Sequence, residues 1–425
     1  TNAWEPEFNS TGTYDIQWLE DLQSEFVAAN RIRPSFGEIG SNTLESFFTR
    51  QGGNATLGSV GVAEVEQGDF AGLRDVDTTN PAVIARMKEI FTWWIANTNI
   101  DGFRIDTVKH IGSSFWQDFI PHVRDWALTE AGKDFYMVAE VYSGSASDLG
   151  SYTHSGMLDS VLGFHMGGEV FDWNGSNGPT VFRDSGAAGA WSNRPTTSAI
   201  EAALQAVQAE ANLNAQSDHN GDGVVARHLM GHFIDNHDLY RFLNDTSAAD
   251  NADATADELA QLRVALSWLM TWEGLPVIYY GTEQNYKQSL SLSNGGEHGD
   301  GVGNVNRGNR PNLWQIANAH NNNTPFDQTN DTFALIQGLA GLRQTNTALR
   351  RGDVSVRWTD SDGTGADAGI LAYVREGATD SEDVLVVINT HPTQWSAASY
   401  GTDNDLGTDW PVGTVLEVLP IGSYD

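Results

Sequence analysis

Five short apolar runs, each followed by a helical pattern, constrain the fold of this chain more than any other feature of its sequence. The segments after the runs carry apolar residues at helical spacing. Strands that alternate with helices along a chain pack as a parallel sheet covered by helices. We therefore predict an α/β fold, either an open sheet or part of a (β/α)8 barrel. The predicted strands are Gly102–Asp106, Tyr136–Val141, Ser160–Met166, His232–Asn236 and Pro276–Gly281.

The two ends of the chain lack this alternation. Residues 1–72 are irregular and rich in Gly, Asn and Ser, which predicts an excursion domain rather than a self-sufficient core. From Asp353 onward, short alternating strands separated by Gly and Asp turns predict a small antiparallel domain. The expected organisation is an excursion domain over 1–72, a catalytic domain over 73–350 and a C-terminal β-sandwich over 351–425.

The net charge narrows the range of partners. Lys and Arg number 23 against 56 Asp and Glu, which gives −33 at pH 7. Such a field repels nucleic acid and anionic membranes and favours neutral or cationic ligands. No apolar run approaches the ~18 residues of a membrane span. Because salt screens self-repulsion, a salt-rich habitat is one hypothesis, and an ordinary acidic secreted enzyme is the other.

The sequence contains no cysteine, which excludes disulfides, thiolate metal sites and a cysteine nucleophile. The candidate chemistry must therefore come from other side chains.

The stretch Asp101–His110, which reads D-G-F-R-I-D-T-V-K-H, places a cation beside an acid. In a strand with a period of two, Phe103 and Ile105 point to one face and Arg104 and Asp106 to the other. A nearby guanidinium lowers the pKa of a carboxyl group, as a nucleophile or an electrostatic stabiliser requires. A structural ion pair at the end of a strand is the alternative interpretation.

Three predicted strands end in acids, namely Asp106, Glu140 and Asp238, with Arg104 and His237 beside them. In parallel βα folds the site forms at the carboxyl ends of the strands. Two carboxyl groups about 5–5.5 Å apart across a glycosidic bond give retaining hydrolysis. Asp106 suits the ionised nucleophile, and Glu140, which follows apolar residues, suits a proton donor with a raised pKa.

A third carboxylate at Asp238, with His237 as a hydrogen-bond donor, would bind sugar hydroxyls. Metal-assisted hydrolysis by clustered Asp and His is the competing chemistry, but no H-x-x-x-H pair or similar ligand pair lies on one helix face.

Four motifs, in this order, resemble those of the α-amylase family, glycoside hydrolase family 13, and among its members they are closest to α-amylases. They are G-F-R-I-D-T-V-K-H, the strand end A-E-V, F-I-D-N-H-D and G-L-P-V-I-Y-Y-G-T-E-Q. The resemblance covers roughly Gly72 to Asp425 and includes G-L-R-D-V-D-T-T-N-P before these motifs and N-R-P-N-L-W after them.

The resemblance implies a (β/α)8 TIM-barrel catalytic domain with an excursion domain and a C-terminal antiparallel β-domain. The family's D-x-x-x-N-H motif does not occur here, and the chain carries no strand pattern for the first three barrel strands. We therefore expect residues 73–350 to supply strands four to eight, with the N-terminal strands missing.

The resemblance also implies a role for each motif residue. It makes Asp106 the nucleophile, Glu140 the acid/base and Asp238 the transition-state stabiliser. The residues expected to contact substrate are Arg104 and His237 at the −1 sugar, Lys109 and His110 on the leaving-group side, and Tyr142, which could stack on a sugar or simply pack.

A structural calcium ion is a further implication of the resemblance. Asp75, in G-L-R-D-V, matches a carboxylate ligand of the family, and His110 would contribute its backbone carbonyl. Calcium takes six to eight oxygen ligands, so these two residues form only part of a site.

The predicted function is retaining endo-hydrolysis of α-1,4-glucosidic bonds in starch, glycogen or related glucans. A transglycosylase such as a cyclodextrin glucanotransferase, which shares the three acids, is the first alternative. A non-catalytic carbohydrate-binding relative is the second. We expect an α-glucan as the partner, a monomeric protein and a secreted, extracellular location.

Overall fold

The structure is a computed structural model, and its described residues fall into two compact units. The first unit comprises Thr1–Leu162 with Ala211–Ala226, and the second comprises Gly163–Glu210 with Arg227–Asp425. Within the described part of the chain, no helix is both long and apolar enough to cross a membrane. The residues described are 13, 47–53, 62–70, 73–154, 156–171, 180–183, 195–215, 223–245, 254–289, 310, 326–360, 368–391 and 396.

The first unit is organised around a three-stranded parallel sheet in the order β1-β2-β3. The strands are β1 (Gly102–Ile105), β2 (Tyr136–Ala139) and β3 (Ser160–Val161). The register runs from Gly102 opposite Tyr136 to Ile105 opposite Ala139. The helices of this unit are α1 (Val62–Gln67), α2 (Pro81–Thr98), α3 (Ser113–Ala131) and α4 (Ala146–Gly150).

Local sequence sets the limits of the long helix α2. Asn80 caps its start, accepting the N–H of Ala82 through its side chain, and Pro81 occupies the first helical position. The helix ends at Thr98, and the next residue, Asn99, adopts a left-handed conformation (φ 56°) that asparagine tolerates well. The chain then enters β1 directly, so α2 delivers the strand that carries Arg104.

Aromatic packing fixes which face of β1 meets the helices. The ring of Phe103 packs edge-on against the ring of Phe91 of α2, with centroids 5.1 Å apart, and against the ring of Phe135, with centroids 4.9 Å apart. Phe91 in turn contacts Phe119 of α3 at 5.0 Å. Because side chains alternate along a strand, this packing leaves Arg104 on the opposite face, as the period-two pattern predicted.

The second unit combines short parallel pairs with an antiparallel sheet. Its parallel pairs join β4 (Gly231–His232) to β6 (Leu275–Pro276) and β5 (Asn244–Asp245) to β7 (Gln288–Ser289). The antiparallel strands, β8 (Val354–Thr359), β9 (Ile370–Arg375) and β10 (Val384–Asn389), have β9 at the centre. The helices are α5 (Ser198–Ala209), α6 (Ala256–Thr271), α7 (Asp331–Thr345) and α8 (Thr347–Arg351).

Three of the predicted strands are much shorter in the structure, and the run predicted as Pro276–Gly281 is a strand only over Leu275–Pro276. The run predicted as Ser160–Met166 is a strand only over Ser160–Val161, because Gly163 leaves the extended conformation and Phe164–Met166 form a 3-10 turn. The run predicted as His232–Asn236 is a strand only over Gly231–His232. Apolar residues continue beyond the ends of β3 and of Gly231–His232 and are buried there, so the apolar run alone overestimates strand length.

Candidate active site

A single guanidinium joins the two acids that the sequence singled out first. Nη1 of Arg104 donates to Oδ1 of Asp106 at 2.7 Å, and Nη2 donates to Oε2 of Glu140 at 2.7 Å. The parallel register explains the geometry, because Ile105 lies opposite Ala139 and the acids are the next residues of each strand. The planar fork of arginine suits two carboxylates at once.

Backbone hydrogen bonds extend this register beyond the strands. The N–H of Glu140 donates to the carbonyl of Ile105 at 2.8 Å, and the N–H of Val108 donates to the carbonyl of Glu140 at 3.2 Å. Thr107, which lies between Asp106 and Val108, has φ 52°, a left-handed conformation that is rare for a β-branched residue. It turns the chain directly after Asp106 into the 3-10 turn Val108–His110.

The two acids differ in exposure. The side chain of Asp106 is 61% exposed, whereas that of Glu140 is 14% exposed. The apolar neighbours predicted for Glu140 are present, since Met137 and Ala139 are fully buried. The Arg104 contact was not predicted for Glu140, and it favours the charged form of a carboxylate, whereas burial disfavours it.

The expected leaving-group residues lie in the same unit. Nζ of Lys109 donates to the backbone carbonyl of Tyr142 at 3.1 Å, which ties the turn after β1 to the segment that follows Glu140. Burial raises the pKa of the half-buried Tyr142. Nδ1 of His110 lies 3.2 Å from the carbonyl of Val65, and burial lowers the pKa of this imidazole.

Asp238 and His237 belong to the second unit and contact each other. Nε2 of His237 lies 2.9 Å from Oδ2 of Asp238. The backbone N–H of Asp238 donates to Oδ1 of Asn236 at 2.8 Å. Asp106, Glu140 and Arg104 therefore form one cluster in the first unit, and His237 and Asp238 form another in the second.

Arg310 completes the second cluster and was missed by the sequence reasoning. Its Nη2 forms an ion pair with Oδ1 of Asp238, and its Nε donates to the backbone carbonyl of His237 at 2.8 Å. The available signal was its place in the N-R-P-N-L-W motif, to which no role had been assigned.

The sequence model of the family described as "Alpha amylase, catalytic domain" matches residues 66–352. Both clusters lie within that range. The chain belongs to the α-amylase family. The predicted family is thereby confirmed.

Curated members of the family align over most of this chain. A beta/alpha-amylase of Paenibacillus polymyxa is 29% identical over 328 residues, covering 77% of this chain and 21% of that protein. An alpha-amylase of Streptomyces lividans is 29% identical over 341 residues, covering 78% and 32%. A cyclomaltodextrin glucanotransferase of Bacillus licheniformis is 26% identical over 388 residues, covering 89% and 41%. The chain thus spans from about a fifth to two fifths of the length of these relatives.

Solved structures of α-amylase family members share the fold. An Anoxybacillus alpha-amylase superposes with a TM-score of 0.54 at 21% identity, covering 86% of this chain and 61% of that one. The gamma-CGTase of alkalophilic Bacillus clarkii gives 0.55 at 22% identity, covering 83% and 41%. These likenesses confirm the predicted fold class, a TIM-barrel catalytic domain with a C-terminal antiparallel sheet.

Asp75, the calcium ligand that the family motif implies, carries an orphaned oxygen. Its Oδ2 is buried and has no hydrogen-bond partner among the described residues. Burial raises the pKa of Asp75 to about 7, and the charges of Asp69 and Asp77 add to the effect, whereas a hydrogen bond with Thr49 opposes it. A buried carboxylate oxygen without a donor, next to further acids, fits a hard cation such as calcium. The contribution of the His110 carbonyl stays a prediction.

A second acidic group in this family member is already neutralised. His228, Glu273 and Asp353 offer ligand atoms within 4.8 Å of one another. However, Arg227 forms ion pairs with both carboxylates, and Nε2 of His228 lies 2.8 Å from Oδ1 of Asp353. These contacts hold the pKa of Asp353 well below its usual range. Because the guanidinium supplies the positive charge between the acids, we assign no calcium to this group.

Proposed function

We propose that this chain is a retaining glycoside hydrolase that cleaves internal α-1,4-glucosidic bonds of starch, glycogen or related glucans. The observation that carries the proposal is the Arg104 guanidinium bound to both Asp106 and Glu140 at 2.7 Å. Retaining enzymes use two carboxyl groups at short separation on either side of the bond they cleave. Two carboxylates that share one guanidinium are consistent with that separation.

The roles follow from exposure and from the family match. The exposed Asp106 carboxylate attacks the anomeric carbon while Glu140 gives its proton to the departing glycosidic oxygen. Glu140, now a base, takes a proton from water, which attacks the anomeric carbon and releases Asp106. Arg104 orients both carboxylates. Asp238, with His237, fills the role of the family's third acid, which stabilises the positive charge that develops on the sugar.

The nature of the acceptor distinguishes this function from its closest alternative. In hydrolysis water resolves the glycosyl-enzyme, whereas in transglycosylation a sugar hydroxyl does so with the same three acids. Relatives that align with this chain carry the names alpha-amylase and cyclomaltodextrin glucanotransferase. A non-catalytic carbohydrate-binding protein is disfavoured because all three acids and Arg104 are present.

The proposal includes a structural calcium ion held in part by Asp75, with the backbone carbonyl of His110 as a further ligand. Lys109, His110 and Tyr142 are proposed to line the leaving-group side. Because glucan polymers do not cross membranes, we propose that the protein is secreted and acts outside the cell. We also propose that it acts as a monomer.

The test is release of reducing sugar from soluble starch by the wild type and two isosteric variants. We expect Glu140→Gln to lower kcat by about 10²–10⁴-fold, the usual contribution of a general acid. Asp106→Asn should lose at least as much, because the nucleophile itself is removed. Asp101→Asn is a matched control, since Asp101 precedes the same strand but pairs with Lys133 at the surface.

The stereochemistry and products decide between the remaining alternatives. NMR should detect the α-anomer as the first product, and chromatography should show linear maltooligosaccharides of mixed length. Cyclic products would establish the transglycosylase instead. An Asp106→Asn or Glu140→Gln variant with near-wild-type rate would contradict the assigned roles, and a wild type that binds starch without cleaving it would leave a binding protein.

A further inference from the structure

A buried carboxylate, Asp235, lies three residues before Asp238 in the second unit. Only 2% of Asp235 is exposed. Its Oδ2 accepts the backbone N–H of Phe242 at 3.1 Å, and the hydroxyl of Thr282 lies 3.2 Å from each carboxylate oxygen. The bond to Phe242 closes the chain over residues 236–241 into a loop. That loop, which we call the acid loop, carries His237 and Asp238.

Arg241 anchors the far end of the acid loop. It is 1% exposed, and its Nη1 donates to the backbone carbonyl of Tyr280 at 2.6 Å. Its guanidinium stacks over the ring of Tyr279 at 3.8 Å from the centroid, with the Tyr286 ring at 4.9 Å. The backbone N–H of Arg241 donates to Oε1 of Gln288 at 2.9 Å. The loop is therefore held to the segment 279–288 through a buried cation.

The charges at the base of the loop depend on each other. Burial raises the pKa of Asp235, whereas the Arg241 charge, the Phe242 amide and the Thr282 hydroxyl lower it. A buried charge is tolerated when it is paired and hydrogen-bonded, and here each partner lies on the loop or on the segment that holds it. Loss of the Asp235 charge would leave the Arg241 guanidinium buried without its acid.

The outer part of the acid loop is more exposed than its base. The side chains of His237 and Asp238 are each 40% exposed. Leu239 is buried and gives the loop one apolar anchor, and the N–H of Asp238 is held by Asn236 within the same loop. The backbone position of Asp238 therefore depends on how the base of the loop is closed, as well as on Arg310, whose Nε donates to the carbonyl of His237.

We propose that Asp235, acting with Arg241, is a positioning residue for the Asp238 carboxylate. The closure of the acid loop sets where Asp238 and His237 meet the sugar, so Asp235 acts on the reaction only through them. The catalytic part of this inference rests on the proposed function, whereas the structural part does not.

The first test is kinetic and uses Asp235→Asn, which keeps the shape and removes the charge. We expect kcat on soluble starch to fall about 10–100-fold with KM changed less than about threefold, because a small displacement of a transition-state group costs up to about 10²-fold. In an Asp238→Asn background the same substitution should cause no further loss, since a residue that acts through Asp238 has nothing left to position.

Glu273→Gln is the matched control. Glu273 is likewise 2% exposed and is paired with a buried arginine, Arg227, which lies outside the acid loop. We expect it to lower the melting temperature while kcat stays within about twofold of the wild type. Thr282→Val removes one donor to Asp235 at constant shape and is the second variant in case Asp235→Asn folds poorly. We expect it to lower kcat in the same way but by a smaller factor.

Hydrogen exchange gives a readout that does not require activity. In Asp235→Asn the amides of residues 236–242 should exchange at least about tenfold faster, while those of β8 and β9 stay as in the wild type. A wild type that cleaves no glucan would refute the proposed function and still leave this measurement to decide on the loop. Unchanged exchange together with unchanged kcat, or a further loss of kcat in the Asp238→Asn background, would overturn the positioning role.

Discussion

The backbone N–H of Glu140 donates to the carbonyl oxygen of Ile105 at 2.8 Å, one residue before Asp106. This bond continues the parallel register past the last paired residues of β1 and β2, so the two acids emerge side by side. Arg104 then reaches from β1 to Glu140, 36 residues away in the sequence. The pairing of these acids is thus a property of the sheet, and substitutions that keep the sheet intact can test its chemistry.

Arg104→Lys should separate charge from geometry. Lysine keeps the positive charge, but an ammonium is a point donor and cannot hold two carboxylates as the planar fork does. We expect kcat on soluble starch to fall by roughly 10²-fold with a small change in melting temperature, because orientation of both acids is lost. Arg86→Lys, at the exposed Arg86–Glu89 pair of α2, is the control and should be neutral. A near-wild-type rate for Arg104→Lys would show that charge alone suffices.

A buried pair of histidines should make the second unit sensitive to acid. His165 and His232 have ring centroids 5.5 Å apart, and all four ring nitrogens are buried without a hydrogen-bond partner among the described residues. Burial lowers the pKa of His165 to about 4. The pKa of His232 is lowered well below its usual value by burial first, and the electrostatic interactions with His165, Arg343 and Arg375 lower it further.

The direction of the pH effect follows from linkage. An unfolded histidine binds a proton below about pH 6.5, whereas folded His165 stays neutral down to about pH 4. The stability of the fold should therefore be constant above pH 6.5 and fall as the pH drops from 6.5 to 4. For His165 the full difference is on the order of 3 kcal/mol.

Urea unfolding between pH 4 and 8 measures this effect. His165→Phe should flatten the slope between pH 6.5 and 4 and remain at least as stable as the wild type at pH 8, since no hydrogen bond is lost. If the wild type and the variant lose stability in parallel as the pH falls, the acid sensitivity has another origin.

Removal of calcium should destabilise the protein through Asp75. Among the described residues Oδ2 of Asp75 has no hydrogen-bond donor, and burial together with the charges of Asp69 and Asp77 raises the pKa of this carboxyl group, so a bound cation would stabilise its charged form. At a free calcium concentration 100 times the Kd, the expected gain is about 2.7 kcal/mol. Differential scanning fluorimetry with calcium or with EDTA should show a shift in Tm for the wild type and none for Asp75→Asn.

Asp118→Asn serves as the control for calcium, because Asp118 is exposed and pairs with Lys88. Its response to EDTA should match the wild type. An equal shift in Asp75→Asn would place the ion elsewhere, and no shift in any variant would remove calcium from the proposal.

Salt should stabilise the folded protein. With a net charge of −33, self-repulsion is strong at low ionic strength and is screened as the Debye length falls from about 10 Å at 0.1 M to about 3 Å at 1 M. We expect both Tm and activity on starch to rise with NaCl into the molar range. Sucrose, which carries no charge, should not reproduce the gain in activity. Full stability and activity in salt-free buffer would contradict adaptation to a salt-rich habitat.

Much of the architecture could be read from local pattern. Apolar runs and helical spacing predicted the alternation of strands and helices, and β9 (Ile370–Arg375) and β10 (Val384–Asn389) lie in the segment that was predicted to form short antiparallel strands. The period of two put Arg104 and Asp106 on the face away from Phe103. Such features depend on neighbouring residues, which is why sequence alone determines them.

Contacts between distant segments were decided by tertiary structure. The bond from Arg104 to Glu140 requires the register of β1 and β2, and no local pattern announces that register. The closure of the acid loop by Asp235 lies beyond the end of a strand, where no periodic pattern predicts a contact. The burial of His165 against His232 joins two segments that are far apart in the sequence. The sequence determined which chemical groups are present and the strand that carries Arg104. Packing determined their partners, because partners depend on register and burial, which arise only when the whole chain folds.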